Sequence, residues 1–210
     1  MKAILLAAGY GKRLGDITKK TPKCLIEVDN KPIIKIWIEK LYQQGIREIL
    51  INTHYLKEKV DDFLLSLKYP NLKITTSFEN KLLGTAGTVY ANSEFIDDDC
   101  FLIHVDNYNK EDLSEFIEAH KNRPQNCIMT MMCNHVDTCE NYGMVTINKK
   151  NILINFEEKP QTSDSKIANS AIYILSSDFI EATKAFNNKT NFSTDIIPNL
   201  IEKVYCFVST

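Results

Sequence analysis

The residues best suited to chemistry lie near the start of the chain, in Leu6-Ala7-Ala8-Gly9-Tyr10-Gly11-Lys12-Arg13-Leu14 and then Thr21-Pro22-Lys23-Cys24-Leu25. An apolar run ends in two glycines, with cations close behind. Gly9 and Gly11 let the backbone come within van der Waals reach of a ligand. Successive N–H groups in such a loop form an anion-binding nest. Arg13 can grip phosphate oxygens in fork geometry, and Lys23 is a point charge on a flexible stem. Together they suit a nucleoside triphosphate. Taken alone, a GxG after a strand often marks only a tight turn. There is no GxxxxGK[ST], which excludes a P-loop, and no third glycine opening a long helix, which leaves a dinucleotide fingerprint incomplete. A dinucleotide-binding oxidoreductase also wants an acid ending the second strand, where this chain reads Asn52-Thr53-His54.

A second candidate is Asp106, which follows the apolar run Cys100-Phe101-Leu102-Ile103-His104-Val105. A hard Mg²⁺ asks for one or two carboxylates plus phosphate oxygens. The plainer alternative is an Asx-turn or a cap on the next helix. Glu157-Glu158-Lys159-Pro160 reads by itself as a surface ion pair, which is worth little. Gly84 and Gly87 could simply shape a turn into a helix. His104 reads as a packed histidine. His54, His120 and His135 have no partners at metal spacing. Asp97-Asp98-Asp99 reads as a solvated loop, and Met129, Met131 and Met132 as strand packing.

These residues need a scaffold, and the hydrophobic periods supply one. Lys2–Ala7, Arg47–Asn52, Leu72–Thr76 and Cys100–Val105 read as strands. Pro32–Gln44, Leu56–Leu67, Thr85–Asn92 and Glu111–Lys121 read as helices. The alternation implies an α/β fold, a Rossmann-like, mostly parallel sheet with helices on both faces. In such sheets ligands sit beyond the carboxyl ends of the strands. That rule singles out the loops after Ala7, Asn52, Ser77 and Val105. From Asn126 the pattern changes to Ile128–Cys133, Gly143–Ile147, Ile152–Glu157 and Ala171–Leu175, an antiparallel C-terminal extension with a hairpin turn at Asn148–Asn151. Asp178–Ala185 and Thr194–Glu202 read as helices, and Val204–Val208 as a last strand.

Composition narrows the function classes. The 210 residues carry 25 Lys+Arg against 27 Asp+Glu, a formal charge of −2, and are 44% hydrophobic. That much apolar side chain can bury a core. The charge balance offers no footprint for nucleic acid. No apolar run is long enough to span a bilayer, and the short one at the N-terminus reads as a buried strand rather than a signal peptide. Six cysteines, Cys24, Cys100, Cys127, Cys133, Cys139 and Cys206, are scattered without CxxC spacing. Reduced thiols and a cytoplasmic location are the expectation.

The string Gly9-x-Gly11-x-Arg13-Leu14-x₃-Thr18-x₃-Pro22-Lys23-x-Leu25 closely resembles the signature of nucleotidyltransferases that join a nucleoside triphosphate to a sugar 1-phosphate. The resemblance runs on, in order, through Lys31-Pro32-Ile33-Ile34, Leu83-Gly84-Thr85-Ala86-Gly87, Val105-Asp106-Asn107, Glu157-Glu158-Lys159-Pro160 and Ala168-Asn169-Ser170-Ala171-Ile172-Tyr173. It covers nearly the whole chain and is strongest to the mannose- or heptose-1-phosphate guanylyltransferase-like branch. It implies one domain over 1–210, with a nucleotide-binding half at 1–125 and a sugar-phosphate-binding half at 126–210. It implies that Leu6, Ala8, Gly9, Gly11, Lys12, Arg13, Lys23, Glu79, Gly84 and Thr85 bind the nucleotide. Asn107, Gly143, Glu158, Lys159 and Asn169 would hold the sugar phosphate. Arg13, Lys23 and Asp106 would be catalytic, with Asp106 on Mg²⁺. A homo-oligomer is left open, and neither nucleic acid nor membrane is implied as a partner.

Glu79, near the base loop, could accept from the N1–H and N2–H₂ edge of guanine, which argues for GTP. Thr21-Pro22-Lys23 and Val105-Asp106-Asn107-Tyr108 also resemble phosphocholine cytidylyltransferases, an alternative that would use CTP. Family members usually supply a second metal-binding Asp beyond the position of Thr210. The chain given stops before it, which leaves three readings open: the chain is truncated, another group replaces that Asp, or the domain is a catalytically impaired nucleotide-sugar-binding one. Asp195 resembles a structural helix segment of the family and is not assigned to metal.

Overall fold

A computed structural model describes residues 1–11, 15–108 and 111–209. The chain packs as two compact units, Met1–Leu83 with Phe101–Lys110, and Gly84–Cys100 with Glu111–Thr210. The two units interleave along the sequence.

In the first unit, β1 (Lys2–Leu6), β4 (Glu48–Thr53), β5 (Lys73–Phe78) and β6 (Cys100–His104) lie in the order β6-β1-β4-β5. β1 pairs with β4, and β4 with β5, in parallel. Ala3, Ile4 and Leu5 of β1 and Ile49 and Ile51 of β4 are fully buried, which explains why these strands read as continuous apolar runs. Helix α2 (Ile33–Gln43) buries Ile34, Trp37, Ile38 and Leu41 at i, i+3, i+4 and i+7. Each such side chain contributes about 1.5–3 kcal/mol by leaving water. Helix α3 (Lys57–Ser66) buries Val60 and Leu64. Four short elements between 16 and 32 have no counterpart in the sequence reading: α1 (Ile17–Lys20), a 3₁₀ turn at Lys23–Leu25, and the pair β2 (Glu27–Val28) and β3 (Lys31–Pro32). Elements of two to four residues are too short to show a hydrophobic period.

In the second unit, α4 (Gly84–Ala91) and α5 (Leu113–Lys121) accompany five strands. β7 (Met129–His135), β8 (Gly143–Ile147), β9 (Leu153–Glu158) and β10 (Ile167–Leu175) pair antiparallel as β7-β10-β8-β9. β11 (Val204–Val208) is added in parallel beside β7. The 148–151 turn is closed by Asn148, whose side-chain oxygen accepts from the N–H groups of Lys150 (2.9 Å) and Ile152 (3.1 Å).

Three expected elements differ. β10 begins at Ile167 rather than Ala171, because a register shift between Asn169 and Tyr173 breaks the alternation that marks a strand in sequence. The helix expected at 178–185 shortens to α6 (Phe179–Ala182) followed by a 3₁₀ turn at Lys184–Phe186. The helix expected at 194–202 is instead a π turn, Phe192–Ile196, running into a 3₁₀ turn, Ile197–Leu200. Pro198 lacks the N–H that an α-helix would need there.

Candidate functional site

In the first unit the glycine loop leaves the carboxyl end of β1. Gly11 has φ +65, a left-handed conformation that costs a residue with a Cβ but not glycine. A Cβ there would lie 2.7 Å from Thr18 Cγ2 and 3.2 Å from Lys23 Cβ, so the loop is packed down on both. The Thr18 hydroxyl, itself buried, lies 3.2 Å from the Gly11 carbonyl and 3.1 Å from that of Gly15, and has one proton to share between them. Ala8 is buried and Gly9 exposed. Lys12 and Arg13 lie outside the described residues.

Lys23 opens its 3₁₀ turn directly after Pro22, which fixes the approach of the chain. Its ammonium forms an ion pair with the carboxylate of Asp106, 83 positions away in sequence. Asp106 lies two residues beyond the end of β6. Val105 before it is buried; its N–H donates to the Leu6 carbonyl (3.2 Å) and its own carbonyl accepts from Trp37 Nε1–H (3.2 Å). The carboxylate therefore stands on a fixed backbone, and Asp106 is exposed. Asn107 follows it, with its N–H on the His104 carbonyl (3.0 Å). His104 is held below its ordinary value chiefly by burial, with Asp106 pulling it up and Lys23 pushing it further down.

As a metal position Asp106 offers one carboxylate. Among the described residues no group of three or more His, Cys, Asp or Glu could hold a metal ion by itself. That donor set fits a Mg²⁺ carried mainly by phosphate oxygens, with one or two protein oxygens completing it. The Lys23 ammonium beside the carboxylate marks it as a place where positive charge is stable.

Glu79 does something other than its sequence suggests. It is 3% exposed, with one carboxylate oxygen accepting from Asn52 Nδ2 (2.9 Å) and the other from the Leu83 N–H (2.9 Å). Its carboxylate is thus engaged within the chain at both oxygens. The apolar side chains exposed around it are Phe78, Leu82 and Leu83.

In the second unit Gly84 has φ +78, and a Cβ on it would collide with the Thr190 carbonyl oxygen. That same oxygen accepts from the Ala86 N–H (2.9 Å), and Thr85 Oγ1 accepts from the Phe192 N–H (2.8 Å). The space left by the missing side chain is thus taken by backbone, and Thr85 ties the start of α4 to the 190–192 segment. Asp195 accepts from Asn191 N–H (3.0 Å) and Thr194 Oγ1 (3.0 Å), and these bonds hold its carboxyl below the usual range. It is a turn-closing residue.

The sugar-phosphate candidates of this unit share one stretch of sheet. Gly143 is paired with Glu158, and Met144 with Ala168, which sets Asn169 next in line. Glu158 Oε2 lies 3.1 Å from where a Gly143 Cβ would be, so the carboxylate folds across the bare glycine. Lys159 Nζ is 3.6 Å from Glu158 Oε1. Lys159 has φ +50, strained for a residue with a side chain, and its N–H is held by the Tyr142 carbonyl at 2.9 Å. Asn169 is fixed at both ends: its Nδ2 donates to the Tyr173 hydroxyl (2.7 Å) and its Oδ1 accepts from the Ala171 N–H (2.8 Å). Tyr173 is fully buried and its hydroxyl is pushed up out of the ordinary tyrosine range, mainly by that burial.

Sequence reasoning missed the residues behind the candidates: Thr18, Asn52, His54 and Tyr173. Thr18 and Tyr173 stand in the strings that carry the resemblance, but the role of all four is defined by partners elsewhere in the fold. His120, read as unremarkable, is buried against Thr130 Oγ1 (2.7 Å) with Asp99 3.3 Å from its other nitrogen, an internal polar cluster. All six cysteines are free. No described helix is long and apolar enough to cross a membrane.

Comparison with known proteins gives a consistent result. The model of the nucleotidyl transferase family matches residues 2–210. The D-glycero-alpha-D-manno-heptose 1-phosphate guanylyltransferase of Campylobacter jejuni is 30% identical over 85% of this chain and 77% of its own. The bifunctional protein GlmU of Methanocaldococcus jannaschii is 30% identical over 97% of this chain, which spans 47% of that relative. Several other curated relatives are matched over little more than half their length. The crystal structure of HddC from Yersinia pseudotuberculosis complexed with GMP-PN superposes with a TM-score of 0.80 at 26% identity, covering 99% of this chain and 90% of that one.

Proposed function

This chain belongs to the nucleotidyl transferase family, and from that premise we propose that it transfers a nucleoside monophosphate from a triphosphate to a sugar 1-phosphate. The nucleotide we propose is GTP and the sugar a mannose or heptose type, with the reaction running in the cytoplasm. The observation that carries the reading is the convergence of the Gly11 backbone, Lys23 and Asp106 in one place. A loop with accessible backbone N–H groups, a cation and a carboxylate are what a bound triphosphate requires. GTP is favoured by the guanylyltransferase of Campylobacter jejuni and by the ligand of the HddC complex.

The chemistry asks little of acid–base groups. A phosphate oxygen of the sugar 1-phosphate attacks the α-phosphorus in line. A new P–O bond forms, the bond to the β-phosphate oxygen breaks, and pyrophosphate leaves. The nucleophile is already ionised at neutral pH, so no general base is needed. The main tasks are positioning two anions and neutralising the charge that builds on the transferred group. Lys23 takes the α-phosphate or the leaving group, and the loop amides of Ala8–Gly11 take the outer phosphates. Asp106 would hold Mg²⁺, which when bound supplies further neutralisation of phosphate charge. Lys159, held in a strained backbone that only its surroundings stabilise, takes the phosphate of the sugar 1-phosphate, and Glu158 and Asn169 take sugar hydroxyls.

Pyrophosphate release tests the reading directly. With Mg²⁺ and mannose 1-phosphate or a heptose 1-phosphate, GTP is expected to give the fastest release among GTP, UTP, CTP and dTTP. Tight binding of a triphosphate with no release for any sugar phosphate would identify a non-catalytic nucleotide-binding domain instead.

A further inference from the structure

We propose that Asn52, His54 and Glu79 form a brace that locks the glycine loop through Ala7 and Tyr10, making Tyr10 and Glu79 positioning residues for the triphosphate. The inference rests on the reading of this loop as a phosphate cradle. Two hydrogen-bonded paths run through the first unit. In one, the Ala7 N–H donates to Asn52 Oδ1 (2.7 Å), Asn52 Nδ2 donates to Glu79 Oε1 (2.9 Å), and the Leu83 N–H donates to Glu79 Oε2 (2.9 Å). In the other, Tyr10 Oη meets His54 Nε2 (2.7 Å), and His54 Nδ1 meets the Glu79 carbonyl (2.7 Å). The Glu79 N–H is itself anchored on the Thr53 carbonyl at the end of β4 (2.9 Å).

The donor and acceptor roles follow from the partners. A carbonyl oxygen only accepts, so His54 Nδ1 donates to it, and in the neutral tautomer that this contact selects Nε2 accepts from the Tyr10 hydroxyl. Asn52 faces an N–H on one side and a carboxylate on the other, so its amide has one workable orientation. A carboxylate as buried as Glu79 is costly unless it is hydrogen-bonded, which ties the two paths to the stability of this end of the sheet.

The two anchors flank Ala8 and Gly9, whose N–H groups the phosphate reading requires. Glycine makes the loop able to bend around an anion; the same freedom makes it costly to order when the anion arrives. A loop pinned at Ala7 and Tyr10 has met that cost on folding, and the saving appears as affinity. The Tyr10 ring is also held by side-chain packing, edge-on to His54 (5.2 Å between centroids) and tilted against Tyr55 (5.5 Å). Tyr10→Phe therefore removes the hydroxyl with the ring contacts kept.

Calorimetry on the full chain tests this, using whichever of ATP, GTP, CTP and UTP binds most tightly and, beside it, the matching nucleoside without phosphates. Tyr10→Phe is expected to raise the Kd of the triphosphate roughly three- to tenfold and to leave that of the nucleoside unmoved. His54→Ala should weaken the triphosphate similarly, and the double variant should be no weaker than the worse single one, because both break the same link. Glu79→Gln leaves one of its two donors facing an amide N–H and should weaken the triphosphate further. Tyr69→Phe, which removes a hydroxyl bound to Glu39 (3.0 Å), should leave binding unchanged. Equal triphosphate affinity in wild type and Tyr10→Phe, or additive losses in the double variant, would overturn the brace alone. A wild-type chain that binds none of the four triphosphates would sink the phosphate-cradle reading, and the brace with it.

Discussion

The two units place their candidate residues in opposite ways. In the first, Gly9, Gly11 and Asp106 sit on loops beyond the ends of β1 and β6, and their positions are set by groups underneath: Trp37 under Val105, Thr18 under Gly11, Asn52 and Glu79 under Ala7. In the second, three of the sugar-phosphate candidates sit within the strands. Gly143, Glu158 and Asn169 are aligned by antiparallel register, and a bulge ending at Tyr173 aims the last of them. Loops carry chemistry readily because they are free of ladder hydrogen bonds, but they need bracing. Strand positions need no brace, yet one residue of slip turns every side chain to the other face. Substitutions in the first unit should therefore touch binding and turnover, and those at the packed glycine and polar cluster of the second should touch stability.

The largest effect should come from the charged pair. Lys23→Ala and Asp106→Ala are each expected to lower the rate of pyrophosphate release by about 10²- to 10³-fold, by removing charge stabilisation that matters most in the transition state. The melting temperature should hardly move, since a partly exposed ion pair contributes about 0–1 kcal/mol. A large drop in melting temperature with turnover intact would reverse the assignment.

Gly84→Ala should act the other way round. It forces a Cβ into a left-handed position against the Thr190 carbonyl, and a loss of about 2–4 kcal/mol is expected in urea unfolding. A change below about 0.5 kcal/mol would show that the 190–192 segment yields easily, and that this glycine is not kept for packing.

The smallest effect is a pH dependence. Burial holds His120 below its ordinary value of 6.5, with Arg123 pushing in the same direction and the Asp99 carboxylate pulling it up. The unfolded chain then binds a proton that the folded chain refuses, so stability is full above about pH 6.5 and declines as pH falls through the folded value. His104 has the same sign. Asp99, held low mainly by His120, adds a further loss only below its ordinary value of 3.8. Urea midpoints at pH 7.5 and 5.5 should differ in the wild type and differ less in His120→Asn. Equal slopes in the two proteins would place the titration elsewhere.

The legibility of these regions in sequence follows from the same contrast. β1, β4 and α2 are long apolar periods, and their bounds in the structure fall within a residue or two of those read from the sequence. The segment from 16 to 32 was silent because its elements are too short to have a period. The 192–200 segment misled because Ile196, Ile197, Leu200 and Ile201 fall at helical spacing around Pro198, and a capped π turn and 3₁₀ turn satisfied the backbone instead. Glu79 showed as an acid near a glycine turn, and only its buried partners revealed a structural carboxylate.

By itself the sequence determined the chain's family, its α/β plan and the residue types at each end of the glycine loop, because those are local properties of composition, period and spacing. The tertiary structure decided which of those residues meet. The Lys23–Asp106 pair, the Glu79 network and the orientation of Asn169 are contacts between distant segments, and such contacts are fixed by strand register and packing, which no local pattern encodes.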